Sequence, residues 1–150
     1  MNKLFVFLLA TVIAVPAFAQ VKAPKEPAGV TYDAQIIRIS DGDTIVISAP
    51  FLPQPLKPEL AVRIYGVDTP EKGHRAQCPQ EDQRAQAASK WTTDLVNSSP
   101  NRKVILYKWD KFGGRVIGDI VVNGQSVRRG LIANGHAREY YGDAKQSWCN

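Results

Sequence analysis

Leu60-Ala61-Val62-Arg63-Ile64-Tyr65-Gly66-Val67-Asp68-Thr69-Pro70-Glu71 begins as a strand and ends as a turn. Leu60, Val62 and Ile64 alternate with Arg63 and Tyr65, and a period of two puts the first three on an apolar face and the others opposite. Gly66 and Pro70 interrupt the pattern, so Asp68 and Glu71 stand at the strand's end, where a rigid scaffold presents side chains to a ligand. N-terminal to this stretch, Thr31 to Ile39 and Thr44 to Ile47 are β-branched runs separated by Ser40-Asp41-Gly42-Asp43, a strand–turn–strand signal. Pro50, Pro53, Pro55 and Pro58 exclude a central strand between them and mark a loop.

On the C-terminal side a helix is expected from Pro79, with Glu81 and Asp82 opposing the positive end of its dipole. Ala88, Trp91 and Leu95 form its apolar stripe, and Asn97-Ser98-Ser99-Pro100 ends it. Lys103 to Trp109 and Val116 to Val122 read as two more strands, the second followed by the Asn123-Gly124 turn signal. Ser126 is placed to cap a short helix running to Asn134, and Gly135 to end it. Five short strands with a helix between the third and fourth make a mostly β, α+β chain. The matching architecture is a five-stranded barrel of the OB type with two or three packed helices.

At 150 residues the chain holds one domain. Residues 1–19 have the pattern of a secretory signal peptide: Lys3, an apolar run from Leu4 to Val15, and Ala17-Phe18-Ala19 at a cleavage site. The run falls short of the ~20 residues of a membrane span. Residues 20–29 read as a flexible leader and residues 30–150 as the folded domain. The mature chain is thus expected outside the membrane, periplasmic or secreted. In an exported protein Cys78 and Cys149 suggest one disulfide, which would stabilise by roughly 4 kcal/mol through loop closure. Two cysteines so widely spaced do not make a zinc site. Residues 20–100 carry nine Lys/Arg and ten Asp/Glu, whereas residues 101–150 carry nine against four, so the C-terminal part suits a polyanionic partner.

Asp41, Asp43, Asp68 and Glu71 gather at strand ends beside Gly42, Gly66 or Pro70. Oxygen ligands of this kind suit hard cations such as calcium or magnesium. Asp-Gly-Asp by itself is also a common turn, but the second acidic segment follows an outward-facing Arg63. Phosphodiester cleavage needs a metal to polarise the phosphoryl oxygen, a base to orient water, and cations for the charge of the transition state. Asp43 and Asp68 could hold the metal, Glu71 could be the base, and Arg63 and Arg115 could supply the cations. A surface salt-bridge cluster is the competing reading of the same residues.

Asp41-Gly42-Asp43-Thr44, then Arg63-Ile64-Tyr65-Gly66-Val67-Asp68-Thr69-Pro70-Glu71, then Asp110-Lys111-Phe112-Gly113-Gly114-Arg115 resemble the three motifs of the thermonuclease (staphylococcal nuclease-like) family. The resemblance runs from Thr31 to Tyr141. It implies an OB-fold barrel and one Ca²⁺ bound by Asp43, Asp68 and the Thr69 carbonyl, with Arg63, Glu71 and Arg115 catalytic. It also implies a DNA or RNA substrate cut to 3′-phosphate ends, with Lys111 and Phe112 among the substrate contacts. Either Tyr140 or Tyr141 supplies a further nucleotide-facing ring. No stable protein partner is implied, and the molecule is expected to be a monomer. A non-catalytic OB-fold nucleic-acid-binding module is the rival reading, although a domain that only binds has little use for four carboxylates near phosphate.

Four departures from the family pattern stand out. An extra glycine precedes Arg115; counting back from Asn123-Gly124 keeps the arginine in register, with the glycine absorbed in a bulge or loop. Phe112 replaces a tyrosine, keeping the ring and losing the hydroxyl. The proline-rich insertion lengthens the interval between Asp43 and Asp68. The chain also stops at Trp148-Cys149-Asn150, where longer members carry another helix, and a Cys78–Cys149 bond is expected to fasten the tail in its place. His74 reads as an exposed loop residue, His136 and Trp91 as packing residues, and Arg128-Arg129 as a solvated helix face.

Overall fold

The structure, a computed structural model, describes residues 24–149. The expected signal peptide and the first part of the leader lie outside the described residues. The leading β-branched run is not one strand. It divides into β1 (Val30–Asp33) and β2 (Ile36–Asp41), because its halves find different partners. β1 runs antiparallel to β6 (Arg102–Trp109), and β2 to β3 (Thr44–Ser48). At the break the Ala34 N–H donates to the Arg102 carbonyl (2.9 Å), while the Gln35 carbonyl accepts from the Ser48 N–H (2.8 Å).

β3 pairs with β4 (Glu59–Ile64), whose Leu60, Val62 and Ile64 are buried as the alternation requires. The chain continues through β5 (Val67–Asp68), a 3₁₀ turn at Gly73–Arg75, α1 (Pro79–Asn97), β6, β7 (Arg115–Val122), β8 (Gln125–Ser126), α2 (Val127–Ala133) and β9 (Arg138–Glu139). The main sheet has the order β1-β6-β7-β4-β3-β2, with β8 on β7, and β5 pairs separately with β9. This strand-rich sheet with two helices is an OB-like α+β fold. Ile45, Val62, Ile64, Val104, Ile120 and Leu131 fill its core.

The buried side of α1 is Ala85, Ala88, Thr92 and Val96, one position round from the expected stripe; Trp91 and Leu95 are only partly covered. The small residues let α1 lean on the β2–β3 turn. The Thr92 hydroxyl donates to the Gly42 carbonyl (2.8 Å), and a Cβ at Gly42 would lie 2.9 Å from that of Ala88. α2 is capped by Ser126, whose Oγ accepts from the Arg129 N–H (3.1 Å). Gly135, at φ +70°, follows its end.

Gly118 sits where β7 is held between β6 and β4, and a Cβ there would lie 2.3 Å from the Ile105 carbonyl oxygen. Gly118→Ala should therefore cost roughly 1–3 kcal/mol by overpacking against backbone. A lowered urea midpoint at unchanged slope is the expected result.

Asp119 is 2% exposed and joins β7 to α2 by accepting from the backbone N–H groups of Ile120 (2.8 Å) and Arg128 (3.1 Å) and from the Ser126 hydroxyl. Burial pushes its pKa up to about 6, although these hydrogen bonds pull the other way. The folded chain thus keeps a proton that the unfolded chain has already released. Its stabilising contribution is complete below the unfolded pKa and is lost as pH rises through about 6. The loss amounts to about 3 kcal/mol. Urea titrations of the parent and Asp119→Asn at pH 4 and 7.5 should show the parent losing more stability; parallel losses would exclude this account.

Candidate active site

The parallel pairing of β4 with β7 sets Ala61 against Arg115 and Arg63 against Ile117. Paired residues project to the same side of a sheet, so Arg63 and Arg115 rise from adjacent strands on one face. The extra glycine does not disturb this. Gly113 and Gly114 lie in the β6–β7 turn, where Gly114 takes φ +75° and neither position has an atom within 4 Å of a Cβ. The turn is closed by the Asp110 N–H donating to the Arg115 carbonyl (3.0 Å) and the Arg115 Nε–H donating to Asp110 Oδ2 (2.5 Å). Burial opposes the charge on Asp110, but the Arg115 bond and field outweigh it and hold its pKa below the usual range. The Arg115 guanidinium lies 4.9 Å from the Phe112 ring centroid, and the Lys111 ammonium 5.3 Å from it.

Asp43 leaves the β2–β3 turn and is 1% exposed. Its Oδ1 accepts from the Arg63 guanidinium and from the Thr44 hydroxyl (3.2 Å), while its buried Oδ2 accepts no hydrogen bond. Burial raises its pKa to about 6, opposed by the Arg63 charge and reinforced by Asp41. Asp68, 4% exposed at the end of β5, accepts from the Trp148 indole N–H at Oδ2 (3.1 Å). Its Oδ1 accepts no well-aligned hydrogen bond, although the Lys145 ammonium stands 2.7 Å away. Thr69 is buried beside it. Two buried carboxylates, one with an oxygen that accepts no hydrogen bond and one met there only by a half-exposed ammonium, are costly without a further cation. This donor set fits a hard cation.

Glu71 is partly exposed. The Arg75 Nε–H approaches its Oε2 and the Lys145 ammonium its Oε1, both at 3.4 Å. Its backbone is fixed by Glu81, a buried carboxylate in the first turn of α1 that accepts from the Glu71 N–H (3.1 Å) and the Gln77 N–H (2.7 Å). Cys78, the N-cap of α1, is bonded to Cys149. Glu81 and the two cysteines form a cluster of ligand-type residues, but the sulfurs are joined to each other and the carboxylate is occupied by backbone donors. Of the two tyrosines, Tyr141 is locked: its hydroxyl accepts from Arg128 (2.6 Å), and its ring packs near Tyr65 and over Gly66. Tyr140 is half-buried with Lys145 5.8 Å from its ring.

A cleft of about 1170 Å³ gathers Asp43, Arg63, Thr69, Glu71, Arg115 and both tyrosines, with Lys111 and Phe112 on its wall. Asp68 lies in an adjoining pocket of about 160 Å³, whose lining shares Thr69, Glu71 and Lys145 with the cleft. Four residues of this region escaped the sequence reading of the site. Trp109 is 66% exposed on the cleft wall, and Glu81, Lys145 and Trp148 support the acids. The exposed aromatic just before Asp110 was the one available sequence signal. His74 is exposed, and His136 lies 6.0 Å from the Trp91 ring.

The model of the staphylococcal nuclease homologue family matches residues 61–148, more than half of the chain, and the chain belongs to that family. Its domain is a nuclease and nucleic-acid-binding fold. The match begins within β4 and so leaves Asp43 outside it. No curated protein matches the chain closely enough to lend it a relative's properties.

Glu81→Ala should cost about 1–3 kcal/mol by leaving two backbone donors without their acceptor. Amide hydrogen exchange at Glu71 and Gln77 should accelerate more than at the core strands. Unchanged protection at both would exclude the anchoring role.

Proposed function

We propose that this protein is an exported, calcium-dependent nuclease that hydrolyses phosphodiester bonds in DNA, RNA or both. The observation that carries the reading is a pair of buried carboxylates beside the cleft of Arg63 and Arg115: Asp43, whose Oδ2 accepts no hydrogen bond, and Asp68, whose Oδ1 is met by the Lys145 ammonium alone. Calcium held by Asp43, Asp68 and the Thr69 carbonyl would supply positive charge to a phosphoryl oxygen.

Glu71 stands at the cleft with a partly exposed carboxylate, able to orient a water molecule and accept its proton as the oxygen bonds to phosphorus. The bond to the departing 5′-oxygen then breaks, and that oxygen takes a proton from solvent, leaving a 3′-phosphate and a 5′-hydroxyl. Arg63 and Arg115 neutralise the charge gathering on the phosphoryl oxygens. Both guanidiniums reach their carboxylate partners through some N–H groups only, so others stay available to phosphate. Phe112, Tyr140 and Trp109 offer rings on which bases can stack, and Lys111 offers a cation to the backbone, so binding should weaken with salt. Export rests on the apolar run of residues 1–19 together with the disulfide. The mature molecule acts as a monomer, in a periplasm or outside the cell.

Hydrolysis of single- and double-stranded DNA and of RNA should require calcium and stop with a chelator. Glu71→Gln should lower kcat by about 10²–10⁴-fold. Arg63→Ala and Arg115→Ala should each lose about 10²–10³-fold. Calcium-independent binding with no cleavage by the parent would instead support a non-catalytic module.

A further inference from the structure

The last described residues cross the acidic side of the site. Trp148, 7% exposed, meets Asp68 through its indole N–H (3.1 Å). It is held from several directions. The Arg138 guanidinium lies 3.9 Å from its ring centroid, Arg84 donates to its carbonyl (2.6 Å), and the next residue is bonded to Cys78 at the head of α1. Arg138 itself is paired in register with Asp68 between β9 and β5. Arg138 therefore holds the ring to the strand that carries the acid. Nearer the cleft, the same segment brings the Lys145 ammonium to 2.7 Å from Asp68 Oδ1 and 3.4 Å from Glu71 Oε1.

We propose that residues 142–149 complete the cation site, with Trp148 a positioning residue for Asp68 and Lys145 a counter-ion that the metal displaces. The inference rests on the reading of Asp68 as a calcium ligand. A carboxylate with one oxygen bound to a fixed indole has its plane set, and its other oxygen is then aimed in advance. Partners of this kind change metal affinity about 10- to 100-fold when removed. Lys145 acts oppositely. Its ammonium and a divalent cation cannot share Oδ1 at contact distance, and its half-exposed stem can carry the charge back to water. Part of calcium's binding energy is spent on that exchange. The disulfide matters because it keeps Trp148 against Asp68 whether or not a cation is present.

The test is calcium affinity by titration calorimetry on the mature, oxidised, metal-free protein without nucleic acid. Trp148→Phe, which keeps an aromatic ring and loses the N–H, should bind calcium about 10-fold more weakly or worse. The double variant Cys78→Ser/Cys149→Ser should move the same way. Lys145→Met, at an exposed position outside the core, should bind severalfold more tightly. If the parent binds no calcium, the assignment of Asp68 fails and this inference falls with it. If the parent binds but Trp148→Phe matches it, the positioning role alone is overturned; a lower thermal midpoint at unchanged affinity would mark Trp148 as packing only. Equal or weaker affinity in Lys145→Met overturns the counter-ion role.

Discussion

The pairing of β4 with β7 is the constraint on which the rest of the site depends. These strands run parallel, so they cannot be joined by a hairpin, and α1 and β6 fill the connection between them. That detour sets α1 against the Asp41-Gly42-Asp43 turn and places its first turn under the Glu71 loop. A slip of one residue between β4 and β7 would send Arg115 to the opposite face. Gly118 lets β6 close tightly on β7 at the same level, so one crowded strand crossing holds the two arginines in common register.

Each acid of the cleft faces a cation, and the lining holds more cations than acids. Asp43 pairs with Arg63, Asp110 with Arg115, Asp68 with Lys145, and Glu71 with both Arg75 and Lys145. These pairs are not equivalent. Arg75 and Lys145 are about half exposed, and such contacts contribute little and exchange readily with solvent. Asp43 is buried, and removing Arg63 would leave its charge uncompensated in a low-dielectric setting. The outer cations can thus turn from their acids to an incoming polyanion while the inner pair keeps the turn in shape.

Much of this was legible where a local pattern carries the information. The alternation from Leu60 to Ile64 marked the buried face of β4, and Ser126 and Gly135 bounded α2 closely. The first strand was less legible, because its division at Ala34 reflects two pairing partners remote in the chain. Glu81 read as a dipole partner at a helix start, yet its carboxylate serves the Glu71 and Gln77 amides across a loop. Lys145 and Trp148 sit outside any motif or period, so only tertiary structure brings them to Asp68. Nor could adjacency separate Tyr140 from Tyr141. Arg128 and the bare Cα of Gly66 do that by confining Tyr141.

The disulfide has a consequence beyond the tail. Cys78 and Cys149 are 71 positions apart, and the segment between them holds α1, β6, β7, β8, α2 and β9. A single peptide-bond cut anywhere in that interval, including the open glycine turn before Arg115, divides the backbone but leaves one covalent molecule. After a cut in that glycine turn the two fragments would remain tethered, with Arg63 on one and Arg115 on the other, and their strands could stay paired. The bond converts a nick from dissociation into a scar.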